Sequence, residues 1–397
     1  MKTIIFITGI CLFKFITHAQ NPGVNKQKSM AKLISDDLSF AEKQYTYLQK
    51  NVPYNTMPKT YQNDKNINTN MEWWCSGFYP GTLLYIYDYS RKPAVLAEAV
   101  KRLNALEPEK SDTTSHDLGF KIFCSFGNAY RLTKNEHYKN VIMAASRSLS
   151  TRYRPTIKSI QSWSKNKTFN CPVIIDNMMN LEMLEWASHN GGSPQFASVA
   201  VNHANTTLKN HFHPDFSSYH VVDYDLITGK VIKKVTAQGA SDSSAWSRGQ
   251  GWALYGFTMM YRFTKRPEYL AQAKGIANFI MYNPNLPADK VPYWDFNAPG
   301  IPNALRDVSA AAVYASAFLE LGQYVKGEER QRYINFAQSI LYSLSTNKYR
   351  AKLGENGGFL LKHSVGSIPN KTEVDVPLTY ADYYFVEALL RYKKWYL

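Results

Sequence analysis

The sequence predicts an all-α fold, an (α/α)6 toroid of six helical hairpins, and three observations predict it. An apolar helical stretch, a short polar turn and an amphipathic helix recur at intervals of roughly 35 to 60 residues. The turns carry the Gly, Pro, Asn and Ser that tight connections between antiparallel helices require. One helical segment is left over at each end of the series, and pairing the two closes a ring.

The elements follow in order. Segment 29–49 is the leading single helix. The first hairpin begins at Gly77 and turns at Tyr87-Asp88-Tyr89-Ser90-Arg91-Lys92-Pro93. The second begins at Leu118 and turns at Arg131-Leu132-Thr133-Lys134-Asn135-Glu136. The third begins at Ile175 and turns at Ser188-His189-Asn190-Gly191-Gly192-Ser193-Pro194. The fourth begins at Gly251 and turns at Arg262-Phe263-Thr264-Lys265-Arg266-Pro267. The fifth begins at Val308 and turns at Lys326-Gly327-Glu328-Glu329, and segment 381–396 is the closing helix. Inner helices should be the apolar, small-residue-rich partners and outer helices the amphipathic ones. The long connection from His211 to Val235 holds an alternation at Tyr219-His220-Val221-Val222-Asp223-Tyr224 that predicts a small β-hairpin.

With 397 residues, 45% of them apolar, the chain can bury one large core, so residues 20–397 are expected to form a single domain. Residues 1–19 read as a secretory signal, with Lys2 ahead of a mostly apolar run from Ile4 to Ile16 and a cleavage site near Ala19. A periplasmic or secreted location is the expectation. Losing this leader removes Lys2 and Lys14 and no acid, so a formal charge of +15 becomes +13. The basic residues are scattered, which argues against nucleic acid and suits an anionic polysaccharide. No later run is long and apolar enough to span a bilayer. Cys75, Cys124 and Cys171 form no CxxC pair and are expected to be buried thiols. His211, His213 and Asp215 are the one grouping that raises a metal site, and it is set aside.

Polar motifs recur where each inner helix begins: Trp73-Trp74-Cys75-Ser76-Gly77, Ser115-His116-Asp117, Ile175-Asp176-Asn177, Trp246-Ser247-Arg248-Gly249-Gln250, Arg306-Asp307 and Tyr380-Ala381-Asp382. In a toroid these N-termini share one rim, and helix N-termini favour anions. The tract from Thr236 to Gly256 adds Gln238, Arg248, Gln250 and two Trp, a set suited to gripping a sugar acid. A lone Asp ahead of a helix is usually an N-cap. Asp117 and Asp176 instead sit among apolar neighbours, where lost solvation and a second carboxylate both raise a pKa toward general-acid use.

At this point the chain resembles a known family, the unsaturated glucuronyl hydrolases of glycoside hydrolase family 88. The matching pieces are Trp74-Cys75-Ser76-Gly77-Phe78-Tyr79-Pro80-Gly81, HDLGF at His116, IIDNMMN at Ile174, QGASDSSAWSRGQGWALYG from Gln238, and Ala381 to Leu389. The resemblance implies an (α/α)6 barrel and a hydrolase acting on lyase-made oligosaccharides with a C4=C5 unsaturated uronic acid at the non-reducing end. It implies hydration of the enol ether, a proton going to C4 and water to C5, with no cofactor and no metal. By position it makes Asp176 the general acid/base and Asp117 the second catalytic carboxylate. It places His116, His220, Gln238, Arg248 and Trp252 around the unsaturated sugar, with Trp74 as an aromatic wall. Arg248 can take a carboxylate bidentately, with an ion pair to Asp242 or Asp307 as the plainer reading. Trp74 and Trp252 are expected to offer faces to sugar C–H groups. Ser364, Ser367 and Lys371 loosely resemble a loop that tunes sulfation preference, so a sulfated substrate is a hypothesis. The rival readings are an unsaturated rhamnogalacturonyl hydrolase of the same fold, a toroidal polysaccharide lyase and a non-catalytic glycan-binding protein.

Overall fold

The computed structural model describes residues 28–397, so the expected leader at 1–19 lies outside the described residues. Helix α1 (Met30–Leu48) opens it, capped by Ser29, whose hydroxyl accepts the Lys32 N–H. Strands β1 (Met57–Gln62) and β2 (Lys65–Thr69) form an antiparallel hairpin. The first helical hairpin is α2 (Phe78–Ser90) with α3 (Pro93–Leu106). A π-helix (Gly119–Gly127) then runs into α4 (Asn128–Thr133), which pairs with α5 (Glu136–Ser150). Short strands β3 (Tyr153–Arg154), β4 (Ser159–Ile160) and β5 (Pro172–Ile174) follow.

A 3-10 helix (Ile175–Asn180) leads into α6 (Leu181–His189), and α7 (Pro194–Asn210) returns. Strands β6 (Val221–Tyr224) and β7 (Val231–Val235) precede α8 (Ser247–Thr264) and α9 (Pro267–Tyr282). Helices α10 (Val308–Leu321) and α11 (Gly327–Leu344), strands β8 (Ser364–Ser367) and β9 (Thr372–Val376), and α12 (Thr379–Tyr396) complete the chain. The turns sit where the sequence puts them. Helices α2, α4 and α8 end on a left-handed residue, Arg91, Lys134 and Lys265, and α3, α7 and α9 each begin with Pro.

The inner elements touch in succession from α2 through the π-helix, α6, α8 and α10 to α12, and α12 returns to α2. Helix α1 packs on both α2 and α12, which closes the ring. Every residue of α10 is buried, as expected of an inner helix walled by neighbours on all sides. Its run of Ala310, Ala311, Ala312, Ala315 and Ala317 lets those neighbours approach closely. The outer helices α1, α5 and α7 bury one face each.

The hairpin expected between 211 and 235 forms as β6 and β7 and gains a third strand, because β5 pairs antiparallel with β6 through Ile174 and Val221. That addition joins the end of β5, the start of β6 and the end of β7 on one edge of the sheet, at the rim of the toroid.

Candidate active site

The sheet edge explains why distant motifs meet. Asp176 follows β5, His220 precedes β6 and Gln238 follows β7. The Ile175 N–H donates to the His220 carbonyl at 3.0 Å, which pins the start of the 3-10 helix to the sheet. His220 Nε2 then lies 3.6 Å from Asp176 Oδ2. Its Nδ1 accepts the N–H groups of Ala237 and Gln238, each at 3.1 Å. That acceptor role assigns the ring proton to Nε2, the nitrogen facing Asp176.

Asp117 reaches the same place from the segment ahead of the π-helix. Two glycines make the approach possible. A Cβ on Gly119 would lie 2.5 Å from Asn180 Cα, so only a bare backbone lets the segment after Asp117 touch the segment after Asp176. The Phe120 N–H donates to Asn180 Oδ1 at 3.0 Å across that contact. A Cβ on Gly77 would lie 2.2 Å from the Phe120 carbonyl oxygen, which seats the start of α2 on the same turn. Thus the Gly of HDLGF, the last Asn of IIDNMMN and the Gly of WxxGF are closure residues. Neither Asp caps a helix. Asp117 Oδ2 accepts the Ser115 hydroxyl at 2.9 Å, and the Asp that caps is Asp307, bonded to the Ser309 N–H.

Burial sets the electrostatics of Asp176. Burial pushes Asp176 up to about 7; the Arg248 guanidinium opposes this, and the Asp117 carboxylate adds a smaller push upward. Asp176 Oδ2 is buried with no hydrogen-bond partner. Burial also pushes His220 down to about 3, with the Arg248 charge and His116 acting the same way, so its ring is neutral. His116 Nε2 lies 3.4 Å from Asp117 Oδ1, and burial lowers that imidazole too, against the pull of Asp117.

Several expected roles change. Arg248 does not present a free fork: Nη1 donates to Asp307 at 2.9 Å and to the Val365 carbonyl at 2.5 Å, and Nη2 donates to the Gly366 carbonyl at 2.8 Å. The ion pair with Asp307 is what forms, because both groups are fully buried and neither can stay unpaired. Trp252 offers no face either. It is fully buried, with its ring against Phe120 and Tyr384, and only its unpartnered indole N–H remains for the site. Trp74 is only partly buried, packed by Phe78, Phe120 and Tyr380, and keeps the wall position.

Gln238 Nε2 donates to the Gly366 carbonyl at 3.1 Å, so it shares an acceptor with Arg248. Ser364 and Ser367 lie buried on β8, the strand those two residues grip, and Ser364 Oγ has no partner. Lys371 is exposed on the turn between β8 and β9. Gln250 exchanges hydrogen bonds with Ser218 and is structural. His211, His213 and Asp215 point to separate partners: Tyr224, Tyr219 and Ser217.

The sequence reading did not single out three neighbours. Trp246 stacks on His220 with centroids 4.5 Å apart, Tyr380 lies under Arg248, and Glu373 rests on Gly366. Trp246 and Tyr380 did stand inside recognised motifs; Glu373 carried no local signal.

Comparison with known proteins identifies the family. Residues 48–289 match Glycosyl Hydrolase Family 88. The chain is 47% identical over 320 residues to an unsaturated glucuronyl hydrolase from Formosa agariphila, covering 80% of this chain and 79% of that one. It superimposes with a TM-score of 0.89 and 42% identity on a crystal structure of an unsaturated glucuronyl hydrolase specific for heparin, covering 91% of this chain and 97% of that one. A mutant unsaturated glucuronyl hydrolase from Streptococcus agalactiae, complexed with dGlcA-GalNAc6S, aligns with a TM-score of 0.80 and 27% identity, covering 94% of this chain and 95% of that one. With a family match over residues 48–289 and this extent of likeness, the chain belongs to glycoside hydrolase family 88.

Proposed function

We propose that this protein releases the terminal C4=C5 unsaturated glucuronic acid from oligosaccharides made by polysaccharide lyases, by hydrating the enol ether. The observation that carries the proposal is Asp176: a buried carboxyl held near 7 with Oδ2 free. Carbon is a poor base, so protonating C4 needs an acid that is neutral at working pH and aimed into the site.

In this reading Asp176 gives its proton to C4, and positive charge develops on C5 and the ring oxygen. Asp117 faces that charge and stabilises it. Water then adds to C5 and returns a proton to the Asp176 carboxylate, which restores the acid. The C5 hemiketal opens to a ketone, and the hemiacetal left at C1 releases the remaining sugar. The Nε2–H of His220 and the indole N–H of Trp252 are the two buried donors available to the Asp176 carboxylate between the two proton transfers. Arg248 acts through its charge and through β8 rather than by gripping the substrate. Trp74, half-buried, supplies the aromatic wall for the sugar.

The test is to incubate the protein with lyase-generated unsaturated disaccharides and follow the ultraviolet absorbance of the conjugated double bond. Hydration predicts loss of absorbance with release of the second sugar. No reaction on any uronyl disaccharide overturns the proposal.

A further inference from the structure

The lip of the mouth carries a charge arrangement that the chemistry above does not use. Lys59 projects from β1, and its Nζ lies 4.4 Å from the ring centroid of Trp73, an indole that is 37% exposed beside Trp74. The same Nζ is 3.7 Å from Glu373 Oε1 on β9. That separation is too long for a hydrogen bond, so the ammonium protons of Lys59 are uncommitted among the described residues. Glu373 is itself largely buried, and a Cβ on Gly366 would lie only 2.7 Å from its Oε2. Gly366 is the residue whose carbonyl accepts from both Arg248 and Gln238. An unbroken set of contacts therefore runs from the candidate site outward through Gly366 and Glu373 to Lys59 and Trp73.

The backbone there is held in an unusual form. Lys371, Glu373 and Asp375 have φ values of 53°, 54° and 56°, a region that side-chain-bearing residues rarely adopt. Strain of this kind persists only where the surroundings impose it. Here it turns Glu373 inward onto Gly366 and beneath Lys59. A plain structural role would favour a short, solvated ion pair; this one is long, shielded and roofed by an exposed aromatic ring.

Resting on the function proposed above, we infer that Lys59 and Trp73 form a subsite for a sulfate on the sugar next to the unsaturated uronate, with Glu373 as the counter-charge that limits its strength. An uncharged neighbouring sugar leaves Lys59 over Glu373. A sulfated one supplies a stronger acceptor, draws the uncommitted ammonium protons and stacks its ring beside Trp73. Lys59 is thus a specificity residue and takes no part in proton transfer.

The test uses a pair of unsaturated disaccharides that differ only by a sulfate on the reducing-side sugar, with kcat/KM measured for the full protein, Lys59→Gln and Glu373→Gln. The ratio of sulfated to unsulfated kcat/KM should fall about tenfold in Lys59→Gln and rise several-fold in Glu373→Gln, mainly through KM. Opposite shifts in the ratio cannot come from misfolding. If both variants leave the ratio unchanged, or move it the same way, the pair only joins two hairpins and the inference is overturned while the proposed function stands. If the unaltered protein converts neither disaccharide, both readings fall.

Discussion

The two mouths of the ring contain similar residue types and treat them in opposite ways. At the mouth formed by helix C-termini, a cavity of about 680 Å³ is lined by residues including Tyr85, Trp186, Tyr255, Arg262, Glu387 and Arg391. Its charges are paired with one another, although Arg262 Nε and Nη2 make no hydrogen bond. Arg262 lies 2.9 Å from both Glu182 and Glu320, Arg391 bridges Glu320 and Glu387, and Glu387 also accepts from Tyr85, Tyr255 and Ser316. At the mouth formed by helix N-termini, Asp176 Oδ2, His220 Nε2, His116 Nδ1 and Trp252 Nε1 are all buried and unpartnered. An acid, two imidazoles and an indole left unpartnered in one place, rather than open volume, mark where chemistry is prepared.

Two carboxyls on the N-terminal rim sharpen the contrast. Burial pushes both Asp176 and Asp382 up to about 7. Asp382 accepts from the N–H groups of Leu360 and Leu361 and from the Tyr45 hydroxyl, so it ties the 360–361 segment to α12. Asp176 Oδ2 accepts from nothing. A perturbed pKa is shared by both, and an unpartnered oxygen set beside His220 separates the acid poised for use from the acid used in building.

The largest expected effect comes from breaking that difference. Asp176→Asn should lower turnover at least about 10³-fold, because no other buried acid faces the site. The same change should stabilise the fold. A carboxyl raised from 3.8 to about 7 keeps in the folded chain a proton that the unfolded chain loses, so stability falls as pH rises through that window. The Tm gain of Asp176→Asn over the natural chain should therefore be greater at pH 8 than at pH 5, and an equal gain at both would contradict the assignment. Asp382→Asn should do the reverse, losing about 1–3 kcal/mol in chemical denaturation while the folded fraction keeps its kcat.

Gly119→Ala tests the closure of the two catalytic segments. The new methyl would meet Asn180, so turnover should fall about tenfold to a hundredfold, more than the accompanying loss of stability explains. At the far mouth, Arg262→Met removes one member of a paired buried cluster. We expect a stability loss of about 3 kcal/mol in urea unfolding and kcat within twofold of the natural chain. A large drop in kcat there would erase the distinction between the mouths.

Much of this was legible in the sequence, and the reason is locality. Turns, apolar stretches and the two terminal helices are written in neighbouring residues, so six hairpins and their closure follow from Gly, Pro and periodicity. Asp117 and Asp176 stand out for the same reason. Arg248 was half legible: its charge belongs to the site, but its donors are taken by Asp307, Val365 and Gly366, residues far along the chain. Trp252 misled because a sequence names an indole without saying which face is covered. The third strand of the sheet, the π-helix after Asp117 and the position of Glu373 on Gly366 all depend on tertiary contacts that no local pattern records.

The central claim is that Asp176 works as a neutral acid, and its sign can be measured directly. We would record kcat/KM for loss of C4=C5 absorbance on one unsaturated disaccharide from pH 5 to pH 9. The account predicts that the rate falls as pH rises through about 7, where Asp176 loses the proton that C4 must receive. A rate that climbs through the same range would mean that the ionised carboxylate is the active form, and the account would be wrong.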